Sequence, residues 1–472
     1  MPGIILLVVL GFVLVMLTVM TYYLRSVVKQ IDTDDEAGKD VENKKSAVAS
    51  SQTFVYTAII LVSVAMIAAL YIYVKGTPWE GHLMEWLNII TRLMHITFGI
   101  AWIGASFYFV FLENALNRTK DVRDELAGNL WAIHGGGFYY LEKYKVAPKT
   151  IPKHLHWFKY EAYFTWLSGF CLLFVVYYFN ASALLIDKNV LDISPLTGIG
   201  IGVGSFIVGW IMYDLLCKSP LIKKPIWFTL IGSVLLFGFA YFYSHVFSGR
   251  AAYIHFGAMI GSIMVANVFF VIIPAQKAMV KAARQELPLD PQLGKNALNR
   301  SLHNNYFTLP VLFVMISNHF PTTFGFEQPW LVLVIITLGT AGVKHYLNLR
   351  EKGQLSVWVL PVSVVILLAG AFISAPPKDP GACNSKIEFS EVNAIIQARC
   401  ISCHSSRPTD DVYKAPPNGV VYDTPDDIVR KKDLIMQRVV ITKTMPQNNK
   451  TNMTEKERDI IRCWIEQGAS VK

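Results

Sequence analysis

The sequence predicts an all-α protein in which a polytopic bundle of transmembrane helices is followed by a small soluble domain. Of the 472 residues, 53% are hydrophobic and only 16% are charged, a composition that soluble globular proteins do not show. The hydrophobic residues gather into blocks of about 20, the length of a helix that crosses the hydrocarbon core of a bilayer. Most of the chain is therefore expected to lie in lipid.

Ten hydrophobic blocks are candidate transmembrane spans. Their positions predict two leading spans with a polar cytoplasmic linker in residues 1–79, an eight-span membrane domain in residues 80–375, and a soluble domain in residues 376–472. The eighth block is short and contains Pro310. In order, the blocks are Ile4 to Leu24, Phe54 to Val74, Trp86 to Leu112, Tyr160 to Tyr178, Ile199 to Leu216, Phe228 to Val246, Ala251 to Ile273, Phe307 to His319, Leu331 to Leu347 and Val357 to Ile373.

The distribution of basic residues predicts the orientation of these spans. The outer loops before the soluble tail carry only Lys75, Lys188 and Arg250, whereas the alternate loops hold most of the other Lys and Arg residues. Because cytoplasmic loops carry the basic excess, both termini are expected outside, on the periplasmic side of a bacterial inner membrane. The formal net charge of +9 then reflects membrane topology, and no nucleic-acid partner is indicated.

The tail contains the attachment signature of a c-type haem, C-x-x-C-H, at Cys400, Cys403 and His404. One helical turn presents both thiols to the two vinyl groups of the haem, and the histidine that follows binds the iron from one face. A zinc site would need four ligands, and no second C-x-x-C or His pair follows. A thioredoxin-type dithiol should follow a strand, whereas an amphipathic helical pattern precedes this motif. The tail is therefore predicted to be a small class I-type cytochrome c domain.

A second axial ligand is expected downstream of the motif, where the tail offers Met436, Met445 and Met453. Met445 lies in a loop-like stretch that can bring a thioether over the haem, whereas Met436 lies in an apolar helical pattern and is expected in the core. We therefore predict Met445 as the ligand. Ligation by His and Met raises the reduction potential of a haem.

The end of the tail is predicted to be a helix that packs against the helix leading into the motif. Thr454 and Glu457 form a capping box, and Ile460, Ile461 and Trp464 fall on one face. Two further cysteines, Cys383 and Cys463, flank the tail on the oxidising side of the membrane. The sequence leaves open whether they form a disulfide or remain free thiols.

Histidines within the predicted spans are candidate functional residues, because ionisable groups inside a bilayer are costly. His95 and His255 are predicted toward the outer side and are the leading candidates for binding a haem b. The alternative is that they form hydrogen bonds between helices or only lie in the membrane interface.

An inner loop from Trp131 to Tyr140 combines His134, three glycines and several aromatic residues. Its glycines would allow the backbone to approach a ligand closely, and the aromatic rings could stack on a planar molecule. It is not a phosphate-binding loop, because no Gly-Lys-Ser/Thr follows. An aromatic belt beside a flexible turn explains the same residues.

Four segments of the chain resemble one known family. They are Trp86 to Tyr108, Leu130 to Phe138, His156 to Tyr163 and Met264 to Pro274. Together with the tail they resemble the membrane-bound urate oxidases, or urate hydroxylases, that end in a cytochrome c domain. The resemblance extends from about Glu80 to the C-terminus, whereas the two leading spans depart from the eight-span plan of that family.

This resemblance implies that urate is oxidised to 5-hydroxyisourate and that its electrons pass through the c-type haem to soluble cytochrome c or another respiratory acceptor. Because the reaction releases two electrons and a haem carries one, a second centre such as haem b would help. His134 and Glu161 are candidate catalytic residues if urate enters from the cytoplasm. A homo-oligomer is left open.

Two other functions fit the same features. A membrane-anchored cytochrome c relay, from quinol to cytochrome c, would need no urate chemistry. A transporter or a haem-pathway protein with an appended cytochrome is a third class.

Overall fold

A computed structural model describes residues 69–471, apart from residues 71, 76, 120, 149, 153, 376–380 and 384. The protein is mostly helical, as predicted. The first predicted span, Ile4 to Leu24, and most of the second, Phe54 to Val74, lie outside the described residues.

Among the described residues, the part of the chain that precedes the tail consists of helices and one β-hairpin. Six of these described helices are long and apolar enough to cross a membrane, and they coincide with six of the eight spans predicted from Trp86 onward. The elements are α1 (Pro78–Ala115), β1 (Leu126–His134), β2 (Gly137–Tyr144), α2 (Tyr160–Leu172), α3 (Pro195–Lys218), α4 (Pro225–Ser244), α5 (Gly249–Ala266), α6 (Ile273–Arg284), α7 (Pro291–Ser317), α8 (Pro321–Phe324), α9 (Pro329–Glu351) and α10 (Val359–Ile373).

The other two predicted spans differ from the six. The block Phe307 to His319 forms the second half of α7, whose first half is polar and whose interior contains Pro310. The last block forms α10, an apolar helix of 15 residues. The predicted total of ten spans therefore remains a prediction.

Helix α5 is the most buried of the apolar helices. It continues through a π-helical turn, Asn267–Ile272, into α6, and it packs against α3, α4 and α7. Glycines permit this close packing, as they often do between membrane helices. A Cβ atom at Gly257 would lie 2.5 Å from a methyl group of Val314, and one at Gly209 would lie 2.9 Å from Met259.

The segment from Trp131 to Tyr140 was predicted to be an inner loop in an all-α fold, and the structure corrects both points. It forms the turn end of an antiparallel hairpin in which His134 pairs with Gly137. Gly135 and Gly136 have φ values of +58° and +79°, as a two-residue type I′ turn requires. The Gly-Gly pair between apolar and aromatic runs is a hairpin signal that the span analysis overlooked.

The described residues form two compact units. One contains the described residues up to Thr97 together with Phe164–Asn180. The other contains Phe98–Tyr163 and the chain from Ala181 onward, including the soluble tail.

The tail is a small helical domain with its own hydrophobic core. Its helices are α11 (Phe389–Arg399), α12 (Pro425–Arg430), α13 (Lys432–Ile435), which runs into a π-helical turn at Met436–Ile441, and α14 (Glu455–Glu466). The predicted capping box of Thr454 and Glu457 is present. Ile461 and Trp464 are fully buried, and α14 packs against α11. The predicted pairing of these two helices is confirmed.

A disulfide joins the start of the tail to its last helix. Cys383 and Cys463 are bonded, with their Cα atoms 5.4 Å apart, which decides between the two alternatives that the sequence left open. A crosslink across 80 residues restricts the unfolded chain and so stabilises a domain with a small core.

Candidate functional site

The two motif cysteines lie in a single turn directly after α11. The backbone N–H of His404 donates to the carbonyl of Cys400 at 2.9 Å, and that of Cys403 donates to the same carbonyl at 3.2 Å. Cys400 is buried in the hydrophobic core of the tail, whereas Cys403 is half-buried. Neither is in a disulfide. The turn therefore presents two free thiols, as the motif requires.

Burial raises the pKa of the Cys400 thiol to about 12. A dithiol of the thioredoxin type needs a lowered pKa at its attacking cysteine, so this environment does not favour that alternative. Among the described residues, no group of three or more His, Cys, Asp or Glu side chains is placed to hold a metal ion.

His404 is oriented by a backbone carbonyl. Its Nδ1 lies 3.0 Å from the carbonyl oxygen of Val420, which can only accept, so Nδ1 carries the proton. The ring also lies 5.2 Å, centroid to centroid, from that of Tyr422. Burial lowers the pKa of His404, which favours the neutral imidazole. Nε2 is therefore the nitrogen that can bind a metal, in the arrangement usual for histidine ligands.

Of the three methionines, one is buried and two are half-buried. Met453 is 3% exposed and lies in the core. Met436 is half-buried at the start of a π-helical turn rather than in the core. Met445 is half-buried and packs against the cluster that contains Cys400. Its backbone is held by hydrogen bonds with the carbonyl of Arg438 and the guanidinium of Arg458.

A buried carboxylate connects the cysteine motif with the segment after Met445. Asp410 accepts hydrogen bonds from the amides of Val412 and Tyr413 at 2.8 and 3.1 Å, and it pairs with Lys450 at 2.7 Å. The backbone N–H of Asp410 donates to the carbonyl of Ser402, inside the motif. Burial alone would raise the pKa of Asp410, but these bonds together lower it below its usual range.

The two histidines predicted inside the membrane lie in different compact units. In the first unit, His95 donates from Nδ1 to the carbonyl of Thr165 at 3.0 Å, with Ser168 Oγ at 3.2 Å. A Cβ atom at Gly169 would lie 2.8 Å from the imidazole, so glycine is needed there. The bond joins α1 to α2, as the alternative of hydrogen bonding between helices expects.

His255, in the second unit, is completely buried in α5. Its Nδ1 donates to the carbonyl of Ala251 within the same helix at 2.8 Å. The rings of Phe247, Phe206 and Tyr243 lie 4.5, 6.0 and 6.1 Å away, centroid to centroid. An aromatic enclosure of this kind is apolar.

The two candidate catalytic residues lie in different elements. His134 is exposed at the end of β1. Glu161 is half-buried in the first turn of α2.

A polar network that the sequence analysis missed lies where α3, α5 and α7 meet. Asn267 is completely buried at the start of the π-helical turn and donates to Asn304 at 2.8 Å and to the Tyr213 hydroxyl at 3.1 Å. Arg300, also buried, donates to Asn267 at 3.1 Å and to Asp214 at 2.6 Å. π-Helical turns inside α-helices are frequent at functional sites.

Aromatic and imidazole rings border this network. The Tyr213 hydroxyl lies 2.8 Å from Nδ1 of His303, and the His303 ring stacks on Phe228 at 5.0 Å. The thiol of Cys217 lies 3.9 Å from the same nitrogen, within hydrogen-bonding distance for sulfur. Asn305, one residue past Asn304, is completely buried, and its carboxamide has no hydrogen-bond partner among the described residues.

One sequence signal could have located the network. Asn267 lies in the resemblance segment Met264 to Pro274, in the middle of an apolar block. The sequence predicts Arg300 in an inner loop, because the eighth hydrophobic block begins only at Phe307. In the structure α7 begins at Pro291, which carries Arg300 into the bundle.

Comparison with known proteins identifies the family. The profile of the urate oxidase N-terminal family matches residues 81–375. The chain belongs to this family. No curated protein and no solved structure matches the chain.

The matched region of this urate oxidase family member contains α1 to α10 except for the first residues of α1, and so holds the entire network around Asn267. The tail lies outside the match. Membership therefore suggests an oxidoreductase that acts on urate, whereas the chemistry of the tail rests on its own residues.

Replacing Arg300 tests how strongly the network stabilises the bundle. Arg300→Ala removes a guanidinium whose side chain is 7% exposed and leaves a buried Asn267 oxygen without its donor. Loss of one partner from a buried charge pair typically costs about 3–5 kcal/mol. Lys218→Ala is the control, because Lys218 binds the same Asp214 but is 69% exposed, and exposed pairs contribute about 0–1 kcal/mol. The unfolding temperature of the purified protein should fall for Arg300→Ala but not for Lys218→Ala. An equal fall in both variants would contradict the larger contribution of Arg300 to stability.

Acidification tests how much the hydrogen bonds and the ion pair of Asp410, which we call the Asp410 clamp, stabilise the tail. A carboxyl group whose pKa is lowered on folding stabilises the protein above its unfolded pKa, 3.8, and this contribution is lost as the pH falls through the folded value. Asp410→Asn should therefore unfold at a lower temperature than the wild type at pH 7, and the difference should shrink below pH 3.8.

Asp411→Asn is the control for this substitution. Asp411 also binds Lys450 but is 76% exposed, against 5% for Asp410. Its replacement should change stability by less than about 1 kcal/mol. A pH-independent effect of Asp410→Asn, or an equal effect of Asp411→Asn, would refute the clamp.

Proposed function

We propose that this protein oxidises urate to 5-hydroxyisourate and delivers the electrons through a covalently bound haem c to the respiratory chain. The observation that carries the proposal is the combination, in one chain, of a urate oxidase family region and a C-x-x-C-H turn with a pre-oriented histidine. The first supplies the substrate class and the second supplies the electron acceptor.

The residues of the tail fit a c-type haem. Cys400 and Cys403 would form the two thioethers, and His404 would bind the iron through Nε2, since Nδ1 donates to Val420. Met445 would supply the second protein ligand to the iron. Bound haem c accepts and passes on one electron at a time, and His/Met ligation favours acceptance.

The reaction balances without oxygen as the electron acceptor. Urate and one water give 5-hydroxyisourate, two protons and two electrons. Two single-electron steps are therefore needed in each turnover. A haem b held by His95 or His255 would allow an electron to be stored, and at each of these residues Nδ1 already donates to a carbonyl, the arrangement that directs Nε2 to a metal.

The urate-binding residues are proposed at two places. His134 and Glu161 remain the candidates that the sequence predicts. The network around Arg300 is the better-supported place, because a buried guanidinium and carboxamides can pair with the oxygens and nitrogens of a purine. The exposed His134 offers less protection from water.

The topology proposed from the basic residues agrees with the contacts of the tail. The segments near Lys188, Arg250 and Gly325 lie near the tail. The predicted orientation puts Lys188 and Arg250 in outer loops, and Gly325 in the outer loop between the eighth and ninth predicted spans. The disulfide suits an oxidising compartment. We therefore place the tail in the periplasm of a bacterial inner membrane, with ten spans in all and soluble cytochrome c or another respiratory acceptor as partner.

Urate under argon tests the proposal. The absorbance of the c-type haem should show reduction when urate is added to membranes without oxygen, with two haems reduced for each urate consumed. Absence of urate-dependent reduction would contradict the proposal. Reduction by quinol alone would instead support the relay without urate chemistry.

Replacing Met445 and, as a control, Met436 tests which methionine binds the haem iron. Met445→Leu should lower the haem reduction potential, since Met ligation raises it, and should slow the uptake of electrons from urate. Met436→Leu makes the same replacement outside the ligand set and should leave the potential unchanged. Equal potentials in both variants would exclude Met445 as the ligand.

A further inference from the structure

We infer that electrons enter the tail through the loop that carries Met445, because this loop is hydrogen-bonded to the outer end of the membrane region. We call residues 442–449 the methionine loop. The inference rests on the proposed function, since it assumes that the tail holds the haem that accepts electrons from urate.

Side chains just after Met445 bind backbone carbonyls between α2 and α3. Gln447 donates from Nε2 to the carbonyl of Ala183 at 2.7 Å. Asn448 donates from Nδ2 to the carbonyls of Ala183 and Ile186, both at 2.7 Å. In the opposite direction, Asn189 donates to the backbone carbonyl of Asn448 at 3.4 Å. These bonds lie within three residues of the predicted ligand.

The other flank of Met445 also meets the membrane region. A Cβ atom at Gly325, after α8, would lie 2.5 Å from the carbonyl oxygen of Thr442. Only glycine allows the backbones to come so close. Thr442 is 3% exposed. The methionine loop is therefore held on both sides of Met445.

The backbone conformation and the hydrogen bonds of the methionine loop favour a rigid contact with the membrane region. Asn448 has a φ of +50°, a left-handed conformation that Asn adopts more readily than most residues. Gln447 accepts a hydrogen bond from the Tyr413 hydroxyl at 2.5 Å, so one side chain joins the tail and the membrane region. The contacts use neutral amides, and salt should not weaken them as it weakens exposed ion pairs.

The segment between α2 and α3 that binds the methionine loop is also connected to the buried His255 of α5. Ser248, the N-cap of α5, donates from its backbone to Leu185 at 3.0 Å and from its hydroxyl to Leu184 at 2.8 Å. The preceding residue, Phe247, is completely buried and lies 4.5 Å from the ring of His255. A continuous series of packed and bonded groups thus leads from His255 to the methionine loop.

A fixed contact between the tail and the membrane region favours electron transfer, because the rate of transfer falls steeply with distance. A domain joined only through its linker would sample many orientations, and the haem would be near its donor for a fraction of the time. Bonds at the methionine loop instead hold one face of the haem site toward the membrane region. The opposite side of the tail is left for the external acceptor.

The test replaces Asn448 by Asp in the full-length protein. The new carboxylate would face two carbonyl oxygens and cannot donate to them, so the contact should open. Asn452→Asp is the matched control: it makes the same change of charge at an exposed residue that also has a left-handed backbone, with φ of +54°. Neither residue belongs to the haem ligand set.

Three measurements separate the outcomes. The first is haem reduction by urate under argon, and the second is direct reduction by ascorbate from solution. The third is the distance distribution between nitroxides at Lys188→Cys and Lys456→Cys, which reports docking without any haem chemistry.

The inference predicts that Asn448→Asp slows urate-dependent reduction by about tenfold or more and broadens the distance distribution, while ascorbate reduction and the Asn452→Asp control stay at wild-type values. It is overturned if the distribution stays narrow, or if it broadens while urate still reduces the haem at the wild-type rate. A wild-type protein that urate never reduces would refute the proposed function itself and the electron route with it, whereas the nitroxide distances would still report whether the tail docks.

Discussion

Polar groups that are buried away from water must find partners inside the protein, and this constraint shapes both parts of the molecule. In the bundle it selects helices, whose backbone groups are satisfied internally, and it makes each buried side chain such as Asn267 or Arg300 costly unless it is bonded. In this network Asn267 and Arg300 are hydrogen-bonded to each other and to neighbouring side chains, which offsets the cost of burying them. Asn305, which is buried and has no hydrogen-bond partner among the described residues, is an exception that lies beside the network.

The same constraint explains the tail. A domain of about 90 residues buries too little apolar surface to be very stable alone, and this one is reinforced by a disulfide, a capping box and the Asp410 clamp. Those features fix the turn that contains the two cysteines and the loop that contains Met445. The haem site that we propose for the tail would need such rigidity, because reorganisation of its surroundings would slow each electron transfer.

Much of this organisation could be predicted from local sequence. Hydrophobic blocks located six apolar helices, and the motif of Cys400 to His404 and the capping box of Thr454 located the framework of the tail. The hairpin was missed because hydrophobicity was interpreted only as spans, although Gly135 and Gly136 carried a turn signal. The Arg300 network and the contacts of Asn448 could not be predicted, because they join residues that are distant in sequence and that only tertiary packing brings together.

We propose that the tail covalently holds a haem. Peroxidase staining of the purified protein on a denaturing gel tests for the covalent bond, because a haem bound only by His404 and Met445 would be lost on denaturation. Staining should appear at the full-length band and disappear when Cys400 and Cys403 are both replaced by alanine. A wild-type band without stain would contradict the assignment of the tail as an electron acceptor.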